Sequence, residues 1–223
     1  MNVTPAILPK SFDEILDKVE RVAVFATCVQ IDLCDGIMGR EKTWLPAGTE
    51  VLPHLDTIEY ECDVMLVDWR SYLPLILSLG MKRLVMHVDS WSEADMDEFI
   101  TALNGSSMAV GLAVSNDISF DEFDNKVRYI KERHANIFIQ VMGIAKIGEQ
   151  GQSFDESCIE RIRHSKQVFG DLTIQIDGAM RPETAMKVAG VGAEGIVVGS
   201  YLLQHEDPST GYTQLSTIQG FAC

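Results

Sequence analysis

Short apolar runs alternate with amphipathic stretches along the whole chain, the pattern of repeated βα units around a parallel sheet. The runs predict strands at Val3–Leu8, Val22–Leu33, Cys62–Val67, Arg83–Val88, Ala109–Val114, Ile137–Ile144, Thr173–Ile176 and Gly195–Val198. Several, such as Leu84-Val85-Met86 and Gly195-Ile196-Val197-Val198, are continuously apolar, which suits strands covered on both faces. Helices are predicted between them. Four carry a Ser followed three residues later by Glu, at Ser11/Glu14, Ser90/Glu93, Ser119/Glu122 and Ser153/Glu156, where hydroxyl and carboxylate can satisfy each other's backbone amides. Apolar residues then follow at helical spacing, as in Phe12, Ile15, Leu16, Val19 and in Phe120, Phe123, Val127, Ile130. Pro182 suits a first helical turn, and glycines 80, 105, 170 and 192 stand where a left-handed residue would end a helix.

Eight such units fit an α/β fold of the (β/α)8 TIM-barrel kind, although a doubly wound open sheet would give similar alternation. With no linker and no shift in composition, residues 1–223 read as one barrel domain.

Apolar residues make up 46% and charged residues 23% of the chain, so a disordered or fibrous protein is excluded. The net charge of −15 leaves little material for the basic face that a nucleic-acid or anionic-membrane partner needs. No apolar run approaches a membrane span, and Pro74 interrupts the nearest, Leu73 to Leu79. Met1 to Lys10 lacks the features of a signal peptide, so a cytoplasmic location is expected. The cysteines, 28, 34, 62, 158 and 223, are odd in number and form no Cys-x-x-Cys, so reduced thiols are expected. A homo-oligomer is left open.

In a barrel the working side chains project from the C-terminal strand ends. The second strand ends Gln30-Ile31-Asp32-Leu33-Cys34, where alternation puts Gln30, Asp32 and Cys34 on one face. The seventh ends Gln175-Ile176-Asp177-Gly178-Ala179, which places a second carboxylate at the same rim. Two carboxylates across a site suit removal and return of a proton. A single strand-end Asp more often caps a loop, and Asp35-Gly36 reads as a turn, so the catalytic reading rests on Asp32 and Asp177 together. Phosphate is expected at the last strands. There Gly178-Ala179 and Gly199-Ser200, with the loop holding Gly148 and Gly151, keep small residues where backbone amides approach an anion.

These segments resemble the ribulose-phosphate 3-epimerases. Asp32-Leu33-Cys34-Asp35-Gly36 with Thr43-Trp44 is similar to the family's Asp-Val-Met-Asp-Gly…Thr-Phe, and Asp63-Val64-Met65-Leu66 to its Asp-Val-His-Leu. Met86-His87-Val88-Asp89 resembles Val-His-Val-Glu, Gly111-Leu112-Ala113 its Gly-Leu-Ala, and Val141-Met142 with the Gly148–Gln152 loop its Val-Met…Gly-Phe-Gly-Gly-Gln. Asp177-Gly178-Ala179-Met180-Arg181-Pro182-Glu183-Thr184 is similar to Asp-Gly-Gly-Val-Asn-Pro-Glu-Thr, and Pro5-Ala6-Ile7-Leu8 to Pro-Ser-Ile-Leu. The resemblance implies a barrel of the ribulose-phosphate-binding type that interconverts pentulose phosphates in carbohydrate metabolism. In it Asp32 and Asp177 would act as acid and base at carbon 3, beside a divalent metal.

The departures fall at the site. The family's two metal-binding histidines are Gln30 and Met65 here, leaving Asp32 and Asp177 of four ligands. Amide and thioether are poor replacements for imidazole toward zinc, iron or manganese, so no cofactor is expected. Ala6 replaces a substrate-contacting Ser, Glu149 enters the phosphate loop where an inward carboxylate would repel phosphate, and Arg181 replaces Asn. His87 reads as a satisfied core histidine and Arg181 as a solvated surface arginine. Two functions therefore stand: an isomerase of the 3-epimerase type, or a non-catalytic relative that binds a sugar phosphate or a partner protein. No Asp-x-Lys-x-x-Asp array supports a lyase or decarboxylase.

Overall fold

A computed structural model describes residues 1–103, 105–149 and 151–220. Its eight strands are parallel, pair in sequence order and close into a barrel. They are β1 (Asn2–Ile7), β2 (Cys28–Cys34), β3 (Glu59–Met65), β4 (Arg83–His87), β5 (Ala109–Val114), β6 (Ile137–Met142), β7 (Ile174–Asp177) and β8 (Gly195–Val198). The closing pair, β8 with β1, runs from Asn2 opposite Gly195 to Pro5 opposite Val198. The open-sheet alternative is thereby excluded.

Around the strands lie α1 (Phe12–Val22), α2 (Trp69–Ser78), α3 (Glu93–Ala102), α4 (Phe120–Lys131), α5 (Cys158–Val168), α6 (Pro182–Ala189), α7 (Ser200–Leu203) and α8 (Pro208–Ser216). Outward strand residues such as Ile31, Leu33, Cys62 and Val64 meet helix residues such as Ile15, Val19 and Ile76 in one apolar sheath. That sheath supplies most of the hydrophobic burial.

Several element boundaries differ from the sequence expectation. The strand predicted from Val22 begins at Cys28, because Val22 continues the buried stripe Ile15–Val19 and stays in α1. The strand predicted over Cys62–Val67 starts at Glu59 and ends at Met65, and Val67 is exposed with its N–H donating to Asp35 Oδ2. The one predicted to Ile144 stops at Met142, and the one predicted to Ile176 runs on to Asp177. Ser11 and Ser119 cap α1 and α4 as expected. Ser90/Glu93 does not cap α3; Ser92 does, in a reciprocal box with Asp95, because Trp91 is still bonded back to Val88. Ser153/Glu156 does not open α5 either, since Asp155 takes the Ser157 N–H and the helix starts at Cys158. Glycines 80, 105 and 192 are left-handed, whereas Gly170 is not. Cys28, Cys34, Cys62 and Cys158 are free thiols, and Cys223 lies outside the described residues.

The barrel interior is polar through much of its depth. Register stacks Gln30 beside Glu61, Asp32 beside Asp63 and Cys34 beside Met65. Arg83 donates to Glu61 (2.6 Å) and Gln175 (3.1 Å); Gln175 donates to Glu61 (2.7 Å) and Gln140 (2.9 Å). Gln140 in turn donates to Asp63 (2.9 Å). Such a network is tolerated in a dry interior only because its members pair with one another. Gly111 gives room for it, since a Cβ there would stand 2.5 Å from the Phe138 ring, over which the Arg83 guanidinium stacks.

Candidate active site

The upper end of this polar column opens into a cavity of about 310 Å³ at the C-terminal rim. All eight residues singled out from the sequence line it: Asp32, Asp177, Gly148, Gly151, Gly178, Ala179, Gly199 and Ser200. Asp32 is there because β2 alternation turns it inward, and Asp177 because it is the last residue of β7. Gln30, one inward step below Asp32, joins the two, its Nε2 donating to Asp32 Oδ1 (2.8 Å) and to Asp177 Oδ2 (3.2 Å).

A third carboxylate completes the group. Asp63 offers an oxygen to the same cluster, in which one oxygen from each of Asp32, Asp63 and Asp177 lies within 4.8 Å of the others. Sequence reading placed Asp63 only within a motif. The signal that finds it is the register of Asp32 against Asp63, which requires knowing which strands are neighbours. His87, read as a core histidine, binds Asp63 with Nε2 at 2.9 Å and is buried.

Burial followed by the neighbouring Asp177 and Asp63 charges holds the Asp32 carboxyl well above the usual carboxylate range. Burial, then Asp63, pushes Asp177 up to about 8, against the lowering effects of Gln30 and His87. Desolvation and like charge both favour the neutral acid. The pair therefore retains at least one proton at neutral pH, and a member that has lost its own can take one up.

Directly after β7 and β8 the chain presents backbone amides to the same cavity. Gly178 and Ala179 are both left-handed, with φ of 108° and 54°. For Ala179 that is an uncommon and strained conformation, and it sits at the cavity lip. The N–H groups of Gly178, Ala179 and Gly199 have no acceptor among the described residues. Glu149 lines the cavity but pairs with Arg40 (3.0 Å), so its charge is answered rather than left facing an anion. Arg181, also lining the cavity, is solvated, as expected, with Glu183 at 4.0 Å. Gln150 lies outside the described residues.

The donor set differs from the one that the epimerase resemblance implies for its metal. Met65 has turned the imidazole position apolar: its sulfur lies 3.7 Å from Cys34 Sγ, in a cluster with Leu8. The Gln30 NH2 group lies between the two aspartates. Turning the amide to offer Oε1, which is buried without a partner among the described residues, would give up both of its hydrogen bonds. Asp63 is already held by His87 and Gln140.

Comparison with known proteins agrees with the scaffold. The model of the ribulose-phosphate 3 epimerase family matches residues 2–203. A cytoplasmic-isoform ribulose-phosphate 3-epimerase of Oryza sativa subsp. japonica is 23% identical over 92% of this chain and 89% of its own. The ribulose-phosphate 3-epimerase of Bacillus subtilis (strain 168) is 21% identical over 96% and 98%. Among solved structures, a 3-hexulose-6-phosphate synthase superposes with a TM-score of 0.65 at 14% identity, covering 98% of this chain and 100% of that one. KGPDC from Streptococcus mutans in complex with D-R5P gives 0.67 at 10%, over 98% and 99%. At that identity the structures speak for the barrel alone, whereas the family match spans nearly the whole sequence. The chain belongs to the ribulose-phosphate 3-epimerase family.

Proposed function

We propose that this protein interconverts pentulose phosphates, or a related sugar phosphate, by proton transfer at the carbon beside the carbonyl, with Asp32 and Asp177 as the acid and base. The observation that carries this reading is the pair itself: two partly buried carboxylates bridged by one amide and opening on one cavity that unpaired backbone N–H groups also line. Phosphate at Gly178–Ala179 and Gly199–Ser200 would anchor the substrate with its carbonyl end over Gln30. The ionised aspartate removes the proton from one face, and the protonated one returns a proton to the other.

The enediolate formed between these steps needs electrostatic support. In this chain the proton held by the acid pair supplies it, while the two Gln30 N–H groups keep the carboxylates in place. A neutral acid is weaker than a cation, so turnover slower by roughly 10² to 10³ than with a bound metal is expected.

Loss of both imidazoles favours a second reading, a barrel that binds a sugar phosphate without turning it over. A coupled assay for xylulose 5-phosphate formed from ribulose 5-phosphate, run beside calorimetry with the same ligand, separates the two. Binding with turnover that Asp32→Asn and Asp177→Asn each reduce by about 10³ or more is the expected result. Binding without turnover would establish the second reading, and absence of both would overturn the sugar-phosphate assignment.

A further inference from the structure

A second hollow, of about 420 Å³, opens at the rim over β4 and β5 and shares no lining residue with the cavity over Asp32 and Asp177. Its floor is His87, the last residue of β4, with Asp89 just beyond it and Ser115 after β5. Arg40 and Lys146 come to it from the loops above. Ile147, whose carbonyl accepts from the Arg40 N–H (3.2 Å), also lines it, in the strap where those two loops join.

The polar groups here are arranged but incompletely used. His87 is only 4% exposed, and its Nε2 is spent on Asp63, while Nδ1 has no partner among the described residues. Asp89 accepts the Ser115 N–H (2.8 Å) through Oδ1, and its Oδ2 has no partner among the described residues. Arg40 is answered by Glu149, whereas Lys146 has no carboxylate within salt-bridge distance among the described residues. With Arg40 paired to Glu149 and His87 to Asp63, Lys146 is the cation at this hollow left without a counter-charge among the described residues. Burial opposes charge on His87, but the Asp63 carboxylate more than offsets it and raises its pKa above the usual value.

The ligand follows from these donors and acceptors. Lys146 and, in the imidazolium form, the His87 Nδ1–H suit an anion, while Asp89 Oδ2 needs a donor such as a hydroxyl and would repel a dianion. We propose that this hollow is a separate binding site for a small hydroxycarboxylate, its carboxylate toward His87 and Lys146 and its hydroxyl donating to Asp89. The inference does not depend on turnover at the acid pair.

Glycerate is the simplest probe. Titrated into the whole protein labelled with nitrogen-15, it should shift the His87 imidazole and the Ser115 amide with a Kd of about 1 mM, the strength of a few hydrogen bonds and one charge contact. Acetate, which lacks the hydroxyl, and inorganic phosphate, a dianion, should bind at least about tenfold more weakly. Lys146→Glu, at an exposed position that cannot disturb the barrel, should weaken glycerate about tenfold or more. Asp89→Asn should erase the preference for glycerate over phosphate. No response of His87 and Ser115 to glycerate, equal binding of acetate, or a Lys146→Glu variant that binds as well as the parent would each overturn the proposal. Phosphate titration followed at the Gly199 and Ser200 amides reads the other cavity separately, so failure there and failure here are distinguishable.

Discussion

Asp177 illustrates how a site residue works against the fold that holds it. Its carboxyl is raised from 3.8 to about 8, first by burial and then by Asp63, so the folded state binds a proton that the unfolded chain releases near pH 4. Stability linked to it is therefore fully present below about pH 4 and is lost progressively as pH rises through about 8. Asp177→Asn, which keeps an acceptor for Gln30, should leave the melting temperature unchanged at pH 4 and raise stability by several kcal/mol at pH 8, since each pH unit between the two pKa values costs the parent about 1.4 kcal/mol. Thermal melts at the two pH values check this. The same titration predicts that turnover rises with pH between about 6 and 8, as the base form of the pair appears. Gln30 and Met65 lead to a second expectation: the purified protein should lack stoichiometric zinc, iron or manganese by elemental analysis. Gln30→His combined with Met65→His should raise metal affinity by at least about tenfold, provided the residues around the site orient the rings. The rim placement of Asp32 was legible from strand alternation, and that of Asp177 from its place at the end of the seventh strand. Asp63 and the bond from His87 to it were not, because what matters about them is which strand lies beside which.

Among the elements, the strands were located correctly but their ends were not. Alternation and apolar runs report which face a residue takes, and they say little about where pairing stops. Val22 belongs to a helix stripe as readily as to a strand, and only packing of Ile15, Val19 and Val22 against the sheet decides it. The α3 start shows the same limit: Ser90 and Ser92 both precede acidic residues by three, and the choice falls to Ser92 because Trp91 N–H already bonds to Val88. Within β5, Gly111 is required by its neighbour rather than by its backbone. Gly111→Ala would set a methyl 2.5 Å from Phe138 and 2.9 Å from Val85. It should cost about 1–3 kcal/mol in chemical denaturation, and Phe138→Leu in the same chain should recover part of that loss.

At the scale of the whole molecule, the eight strands converge two loop systems on one rim, and the β2–β3 and β6–α5 loops meet across it through Arg40 N–H to Ile147 and Glu41 N–H to Gly148. The closed barrel and its rim were implied by the βα rhythm, whereas the polar interior and this strap were not, since both depend on contacts between residues far apart in sequence. No helix among the described residues is long and apolar enough to cross a membrane. The phosphate wall should be separable from the rest of the molecule. Gly199→Leu should abolish calorimetric binding of inorganic phosphate and ribulose 5-phosphate while the circular dichroism of the barrel persists. The central claim, that Asp32 and Asp177 exchange a proton with carbon 3 of a bound sugar phosphate, is tested most directly by proton NMR of ribulose 5-phosphate in deuterated water. Loss of the carbon-3 proton signal with the parent protein, slowed by about 10³ or more in Asp32→Asn and in Asp177→Asn, is the predicted result. Retention of that proton with the parent, or exchange that survives in both variants, would contradict the account.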